Sequence, residues 1–336
     1  MSNNTQQAER THQPSSQNPP RPDAMGFLRE HWNTAAPFGA LIVLVVVFTL
    51  MNSTFLTKNN GLNILSQSSV LLVLAIAATF PILMGSIDLS IGPIVTLSAS
   101  VCATLAQQYG AWVFLLCPFI GLICGLANGL LVSYAKLPSF LVTLGTSFTF
   151  VGIAKFVTDG RPVPVAVSDL SQWFTGSIFG IPKVSLWAVV ALVLTTLIAS
   201  RTRLGRYMYA IGGNELTSRL SGVPVDRTKV YAFLLTGFLA GAAGLLQAFR
   251  VRSSTPDLGD AFLLLAIAAV VMGGTPLSGG VGGPLRTVTG VLIITTLSNG
   301  MVIGAVHPFL QTVVQGLVVV IAVAVTLDRK KLDLVK

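Results

Sequence analysis

Apolar residues in this chain run in long unbroken stretches instead of alternating with polar ones, and short polar breaks divide them into ten. They lie near 36–51, 62–84, 91–108, 111–134, 139–157, 184–200, 230–249, 261–275, 284–304 and 309–327. Each approaches the ~20 residues that a helix needs to cross a hydrocarbon layer about 30 Å thick. In lipid an unpaired backbone group costs several kcal/mol, and the pattern lacks the period of two that marks barrel strands, so these runs are expected to be helices. The prediction is an all-α, polytopic membrane helix bundle of about ten transmembrane helices. One membrane domain, 35–328, takes up nearly the whole chain and leaves no room for a second soluble domain. The stretch 1–34 is rich in Gln, Asn, Pro and Ser and reads as a disordered tail rather than a removable signal, and 329–336 reads as a second, short tail.

Composition agrees with lipid as the main solvent: 52% of residues are hydrophobic and 10% charged, where soluble domains have roughly a quarter charged. The net charge of +9 sits in short connections between apolar runs, with no soluble module to present it to nucleic acid. It serves instead to orient the chain. With the amino terminus inside, fifteen of the 21 basic residues face the cytoplasm: Arg10, Arg21, Arg29, Lys136, Arg201, Arg203, Arg206, Arg219, Arg227, Lys229, Arg286, Arg329, Lys330, Lys331 and Lys336. That bias, with an even number of spans, predicts both termini inside. Two hydrophilic segments stand out. The outer one, 158–183, carries Pro162, Pro164, Trp173 and Phe174 as a loop or interfacial helix, and the inner one, 201–229, is strongly basic with a short helix of its own.

Candidate chemistry is sparse. Cys102, Cys117 and Cys124 lie in or beside apolar runs without paired spacing or nearby histidines, so they read as small core residues, and no metal site is expected. Gly121, Gly125 and Gly129, and likewise Gly237, Gly241 and Gly244, place small residues on one helix face for close packing. Asp88, just before Gly92-Pro93, reads either as a cap for the next helix or as a pathway or gating residue. Gln67, Asn128, Gln247, Asn299, Gln311 and Gln315 are neutral hydrogen-bonding groups that suit a hydroxylated solute better than an ion. Asp88, Asn128, Gln247 and Asn299 are the candidates for a translocation pathway. A weak internal echo relates Met84-Gly85, Leu89-Ser90 and Gly92 to Met272-Gly273, Leu277-Ser278 and Gly280. Ion-driven carriers need titratable or ion-ligating groups at mid-membrane, and these are scarce here. No Gly-rich loop followed by Lys-Ser/Thr is present to cradle ATP phosphates, so an energy source is expected on a separate subunit that docks at the inner loop.

The inner loop carries a recognisable pattern. Gly205-Arg206, Tyr209-Ala210-Ile211-Gly212-Gly213-Asn214-Glu215 and Arg219-Leu220-Ser221-Gly222-Val223 resemble the cytoplasmic signature of bacterial monosaccharide ABC permeases of the ribose, galactose and arabinose type. Ile87-Asp88-Leu89-Ser90-Ile91-Gly92, Gly125-Leu-Ala-Asn128-Gly129, Gly273-Gly274 and Gly279-Gly280 extend the resemblance over about 36–328. Where related permeases have two alanines, this chain has Thr217-Ser218.

The resemblance implies a pair of permeases, two copies or one copy with a sister chain, above ABC ATPase subunits that bind ATP and Mg. A periplasmic sugar-binding protein would deliver a monosaccharide to the outer face. It assigns ATPase coupling to Gly205, Arg206, Tyr209, Gly212, Gly213, Asn214, Glu215, Arg219, Leu220, Ser221 and Gly222, with Arg206, Asn214, Glu215 and Arg219 as polar contacts. From position and charge, Arg250, Arg252, Asp257 and Asp260 are candidates for docking the binding protein. The permease itself is expected to catalyse no covalent reaction and to hold no cofactor. A permease for a branched-chain amino acid or polyol-like solute is the alternative within the class, and an ion-coupled carrier or channel is the alternative outside it.

Overall fold

The computed structural model describes residues 24–326. Residues 1–23 and 327–336, with Arg10, Arg21 and the basic carboxyl end, lie outside them. Among the described residues are thirteen α-helices: α1 Ala24–Met51, α2 Lys58–Leu83, α3 Ile91–Tyr109, α4 Cys117–Ser133, α5 Ser139–Thr158, α6 Asp169–Phe174, α7 Lys183–Arg201, α8 Arg203–Gly213, α9 Glu215–Leu220, α10 Val225–Val251, α11 Asp260–Met272, α12 Pro284–Ile303 and α13 Pro308–Thr326. A turn of 3-10 helix, Ala111–Leu116, leads into α4. Four two-residue strands pair locally, β1 Val163–Pro164 with β4 Ser253–Ser254 and β2 Ser177–Ile178 with β3 Ile181–Pro182, all antiparallel.

Each of the ten apolar stretches is helical, yet the expected count of ten spans needs correction. Six helical segments are long and apolar enough to cross a membrane: Lys58–Leu83, Ala111–Ser133, Ser139–Thr158, Lys183–Arg201, Val225–Val251 and Pro284–Ile303. The apolar parts of α1 and α13 are shorter, and α11 has 13 residues, which reach about 20 Å at 1.5 Å per residue. α3 is long enough, but Thr96, Ser98, Ser100 and two glutamines make it too polar to qualify. α1 opens at Ala24, inside the stretch read as a disordered tail.

α2 and α10 form the centre of the bundle, each 78% buried over its most apolar window, against 22% for α5 and 28% for α7. The outer helices turn Phe119, Ile123, Phe148, Phe156 and Leu194 outward, as expected where the surroundings are lipid. α4 and α10 run antiparallel in glycine-to-glycine contact. A Cβ on Gly121 would overlap the Gly237 carbonyl oxygen, one on Gly125 that of Phe233, and one on Gly241 that of Cys117. No side chain fits between these backbones, so the glycine seam read from sequence is a packing seam. The three cysteines are free and buried.

Two irregular segments enter the bundle. The connection between α2 and α3 runs beside α5, whose hydroxyls satisfy its backbone. Ser139 Oγ accepts from Ile87 N–H at 3.2 Å and Thr143 Oγ1 from Leu89 N–H at 3.0 Å, while Ser147 Oγ donates to the Leu89 carbonyl at 2.9 Å. The connection between α10 and α11 passes α3, with Ser254 and Ser100 hydroxyls 3.1 Å apart and Gly259 N–H donating to Thr96 Oγ1 at 2.9 Å. The starts of α3 and α11 then meet, since a Cβ on Gly92 would lie 2.8 Å from the Gly259 carbonyl oxygen. Non-helical backbone within a membrane bundle is tolerated where protein lines it in this way.

Candidate functional site

The basic segment between α7 and α10 folds into two short helices, where the sequence pattern indicated one. Thr202 starts α8 by accepting from Gly205 N–H at 3.2 Å, and Asn214 starts α9 by accepting from Thr217 N–H at 2.8 Å. Gly222, at φ 81°, turns the chain after α9, and Pro224 precedes α10. Gly205 seats α8 on the end of α7, where a Cβ would overlap the Ala199 carbonyl.

Gly212 presses α8 against the α2 end, leaving no space for a Cβ beside the Leu83 carbonyl. That carbonyl accepts from Gly280 N–H at 2.9 Å, and the Tyr209 hydroxyl donates to the Gly282 carbonyl at 2.8 Å. The two halves of the internal echo, the turn after α2 and the glycine-rich turn after α11, therefore meet each other beneath α8. The positive φ values of Gly279 (77°) and Gly280 (81°) give that second turn a path that L side chains rarely adopt.

The predicted residues of this segment divide by direction. Gly205, Tyr209 and Gly212 face the bundle. Arg206, Gly213, Asn214, Glu215, Arg219, Leu220, Ser221 and Gly222 are exposed. Two of these exposed charges, Glu215 and Arg219, are nonetheless engaged within the chain. Arg219 makes a two-pronged bond to Asp226, Nη1 to Oδ2 at 3.0 Å and Nη2 to Oδ1 at 2.9 Å, and Lys136 Nζ reaches Asp226 Oδ1 at 2.7 Å. Glu215 holds Lys229 at 2.8 Å and Arg219 at 3.5 Å. Asp226 and then Glu215 stabilise the Arg219 guanidinium and push its proton affinity above the already high arginine range. Lys136 adopts φ 56°, a backbone conformation that costs a residue with a side chain of order 1–3 kcal/mol.

On α9 itself, outside this network, Leu216 is 67% and Leu220 81% exposed, four residues apart on one side of the helix. Between α8 and the start of α10, a groove of about 440 Å³ is lined by Leu204, Tyr207, Pro224, Arg227, Thr228 and Tyr231. Sequence reasoning missed Leu216, Asp226, Lys136 and Lys229.

Asp88, Asn128, Gln247 and Asn299 are all buried and occupy three separate places. Asp88 Oδ1 accepts from both Ser90 N–H at 2.8 Å and Ser90 Oγ at 2.6 Å, and Asn128 Nδ2 donates to Ser90 Oγ at 2.7 Å. Asp88 Oδ2 and Asn128 Oδ1 have no hydrogen-bond partner among the described residues. The cap position of α3 itself belongs to Ser90, so Asp88 supports the cap instead of occupying it. Asn299 Oδ1 accepts from Asn60 Nδ2 at 2.9 Å, and Gln247 Oε1 accepts from Arg250 Nε–H at 3.2 Å.

Of the four residues proposed to form an outer charged loop, two belong to helices: Arg250 lies in the last turn of α10 and Asp260 opens α11. Arg252, at φ 55°, ends α10, and its carbonyl accepts from Val165 N–H at 3.0 Å. Phe249 stacks on Phe174 of α6 with ring centroids 5.8 Å apart. The end of α10 thus gathers β1, β4 and α6 into one cap, opposite the end that bears α9.

Comparison with known proteins identifies the class. Residues 60–323 match the family described as "Branched-chain amino acid transport system / permease component". The chain is 40% identical over 305 residues to the ribose import permease protein of Bacillus subtilis, covering 88% of this chain and 92% of that one. It is 36% identical to the D-allose transport system permease protein of Escherichia coli (89% and 92% covered) and 34% identical to the galactose/methyl galactoside import permease protein of Escherichia coli (84% and 91%). By name, each is the permease protein of an import or transport system. With an all-helical membrane bundle of its own, the family match over residues 60–323 and identity over most of both chains, this protein belongs to the monosaccharide ABC permease family.

Proposed function

We propose that this chain is the membrane-spanning permease subunit of a binding-protein-dependent importer of the bacterial inner membrane, carrying a monosaccharide into the cytoplasm by alternating access. The ATP-driven step resides on a separate ABC ATPase subunit, which binds ATP and Mg and seats against α8 and α9. The face bearing α9 is then cytoplasmic, with both termini on that side, and the cap at the far end of α10 receives the sugar-binding protein. The observation that carries the reading is α9 itself, a capped helix that offers Leu216 and Leu220 to an apolar groove on a partner while its charges are committed within the chain.

The closely packed α2, α4 and α10 leave the core of one chain closed at the glycine seam, which favours a sugar path between two permeases over one through a single chain. Ribose, allose and galactose in the relatives' names support a monosaccharide as cargo. The broader family description keeps branched-chain amino acids as a second class to test.

The test is a cross-link. In the assembled transporter, Leu216→Cys should form a disulfide with cysteines placed along the groove of the ATPase subunit, and its yield should change when ATP and Mg are added. Labelling of Leu216→Cys from the outer face of intact cells, with no cross-link, would exclude the assignment.

A further inference from the structure

We propose that Asp226 is the positioning residue that binds the coupling helix α9 to α10, so that α9 and the glycine-locked α4–α10 pair move as one body across the membrane. The proposal rests on the reading of α9 as the ATPase contact and adds what α9 moves.

Three observations converge on Asp226. Its carboxylate takes both prongs of Arg219 from α9 and Lys136 from the turn after α4, at 2.7–3.0 Å. A second tie, Lys229 of α10 to Glu215 of α9 at 2.8 Å, lies alongside it. An isolated surface pair holds little, but two bidentate or paired ties between the same two elements form a network and fix their mutual orientation.

The second observation is the seam above. Successive contacts between α4 and α10, Gly125 with Phe233, Gly121 with Gly237 and Cys117 with Gly241, leave no room for a Cβ on the glycines, and Gly129 packs tightly on Val230, where a Cβ would lie 3.0 Å from its Cα. Lys136 with Asp226 continues this antiparallel register beyond the end of α4. Sliding α10 along α4 would drive carbonyl oxygens into Cα atoms, so the pair responds to force as a unit.

The third is length. α10 is one continuous helix of 27 residues, about 40 Å at 1.5 Å per residue. Its far end carries Phe249 against Phe174, and the Arg252 carbonyl bonded to Val165 N–H. A displacement of α9 therefore reaches the cap of β1, β4 and α6 through one rigid element, and a load on that cap reaches α9 by the same route.

The test uses the complete transporter in proteoliposomes: this chain, its ATPase subunit, and its binding protein saturated in turn with D-ribose, D-allose and D-galactose. Asp226→Asn should leave basal ATP hydrolysis and subunit stoichiometry at the level of the unaltered transporter. Stimulation of hydrolysis by the loaded binding protein should fall about tenfold, within the usual range of coupling between distant sites. Arg219→Cys with Asp226→Cys should show the same loss and regain stimulation when a short bis-methanethiosulfonate bridges the two thiols, a rescue that a merely structural role would not give. Undiminished stimulation in Asp226→Asn, bridging without recovery, or loss of the ATPase subunit from the complex would each overturn the proposal. Failure of the underlying reading would show differently, as a missing Leu216→Cys cross-link in the unaltered background.

Discussion

At the scale of single residues, Asp88 shows how a buried charge is put to local use. One of its oxygens organises Ser90, the residue that opens α3, through two bonds of 2.8 and 2.6 Å. Asp88→Ala would strip both Ser90 donors of their acceptor in a buried place and should lower stability in detergent by about 1–3 kcal/mol. Asp88→Asn keeps an oxygen for Ser90 and brings an N–H to the side where Asp88 Oδ2 has no partner among the described residues, so it should stay close to the unaltered protein. Thermal unfolding of both variants checks the order, and an alanine variant as stable as the parent would remove the capping role. Asp88 was legible as a special position because an acid beside Gly-Pro in a bundle poor in charge demands a reason. Asn128, which meets Asp88 through Ser90, was legible as an amide in the Gly125–Gly129 motif but not as its neighbour, because residues 40 apart in sequence give no sign of meeting. The same holds for Lys136 and Asp226. A signal for Asp226 did exist: with Glu215 it is one of two acids in an otherwise basic loop.

At the scale of elements, hydropathy located α1–α5, α7 and α10–α13, since a run of apolar residues has one way to satisfy its backbone in lipid or in a core. It could not tell a full crossing from a partial one. α11 is as apolar as any span, but it is short, is largely buried and ends in a glycine-rich turn. Nor could it divide the basic loop into α8 and α9, whose boundary is set by a single capping asparagine. The glycine spacing of α4 and α10 was read correctly because only close backbone contact makes such spacing useful. Gly125→Ala or Gly237→Ala should force the helices apart and destabilise by about 1–3 kcal/mol. Gly145→Ala in α5, where a Cβ meets nothing within 4 Å, should be neutral or stabilise by up to ~1 kcal/mol. Equal melting temperatures for all three would contradict the packing described for the seam.

At the scale of the molecule, α10 joins two specialised ends: α9 with its two exposed leucines, and the cap built on Phe249 and Arg252. A bundle with few charges among its helices has little with which to harvest an ion gradient, and its family is one of permeases, which is why we propose that its power comes from a partner. The measurement that tests this most directly is uptake of radiolabelled D-ribose, D-allose and D-galactose into proteoliposomes, with components supplied one at a time. The account predicts accumulation of one of these sugars only when this chain, its ATPase subunit, internal ATP with Mg and the external binding protein are all present. Accumulation by this chain alone under a proton or sodium gradient, with no ATP, would contradict it.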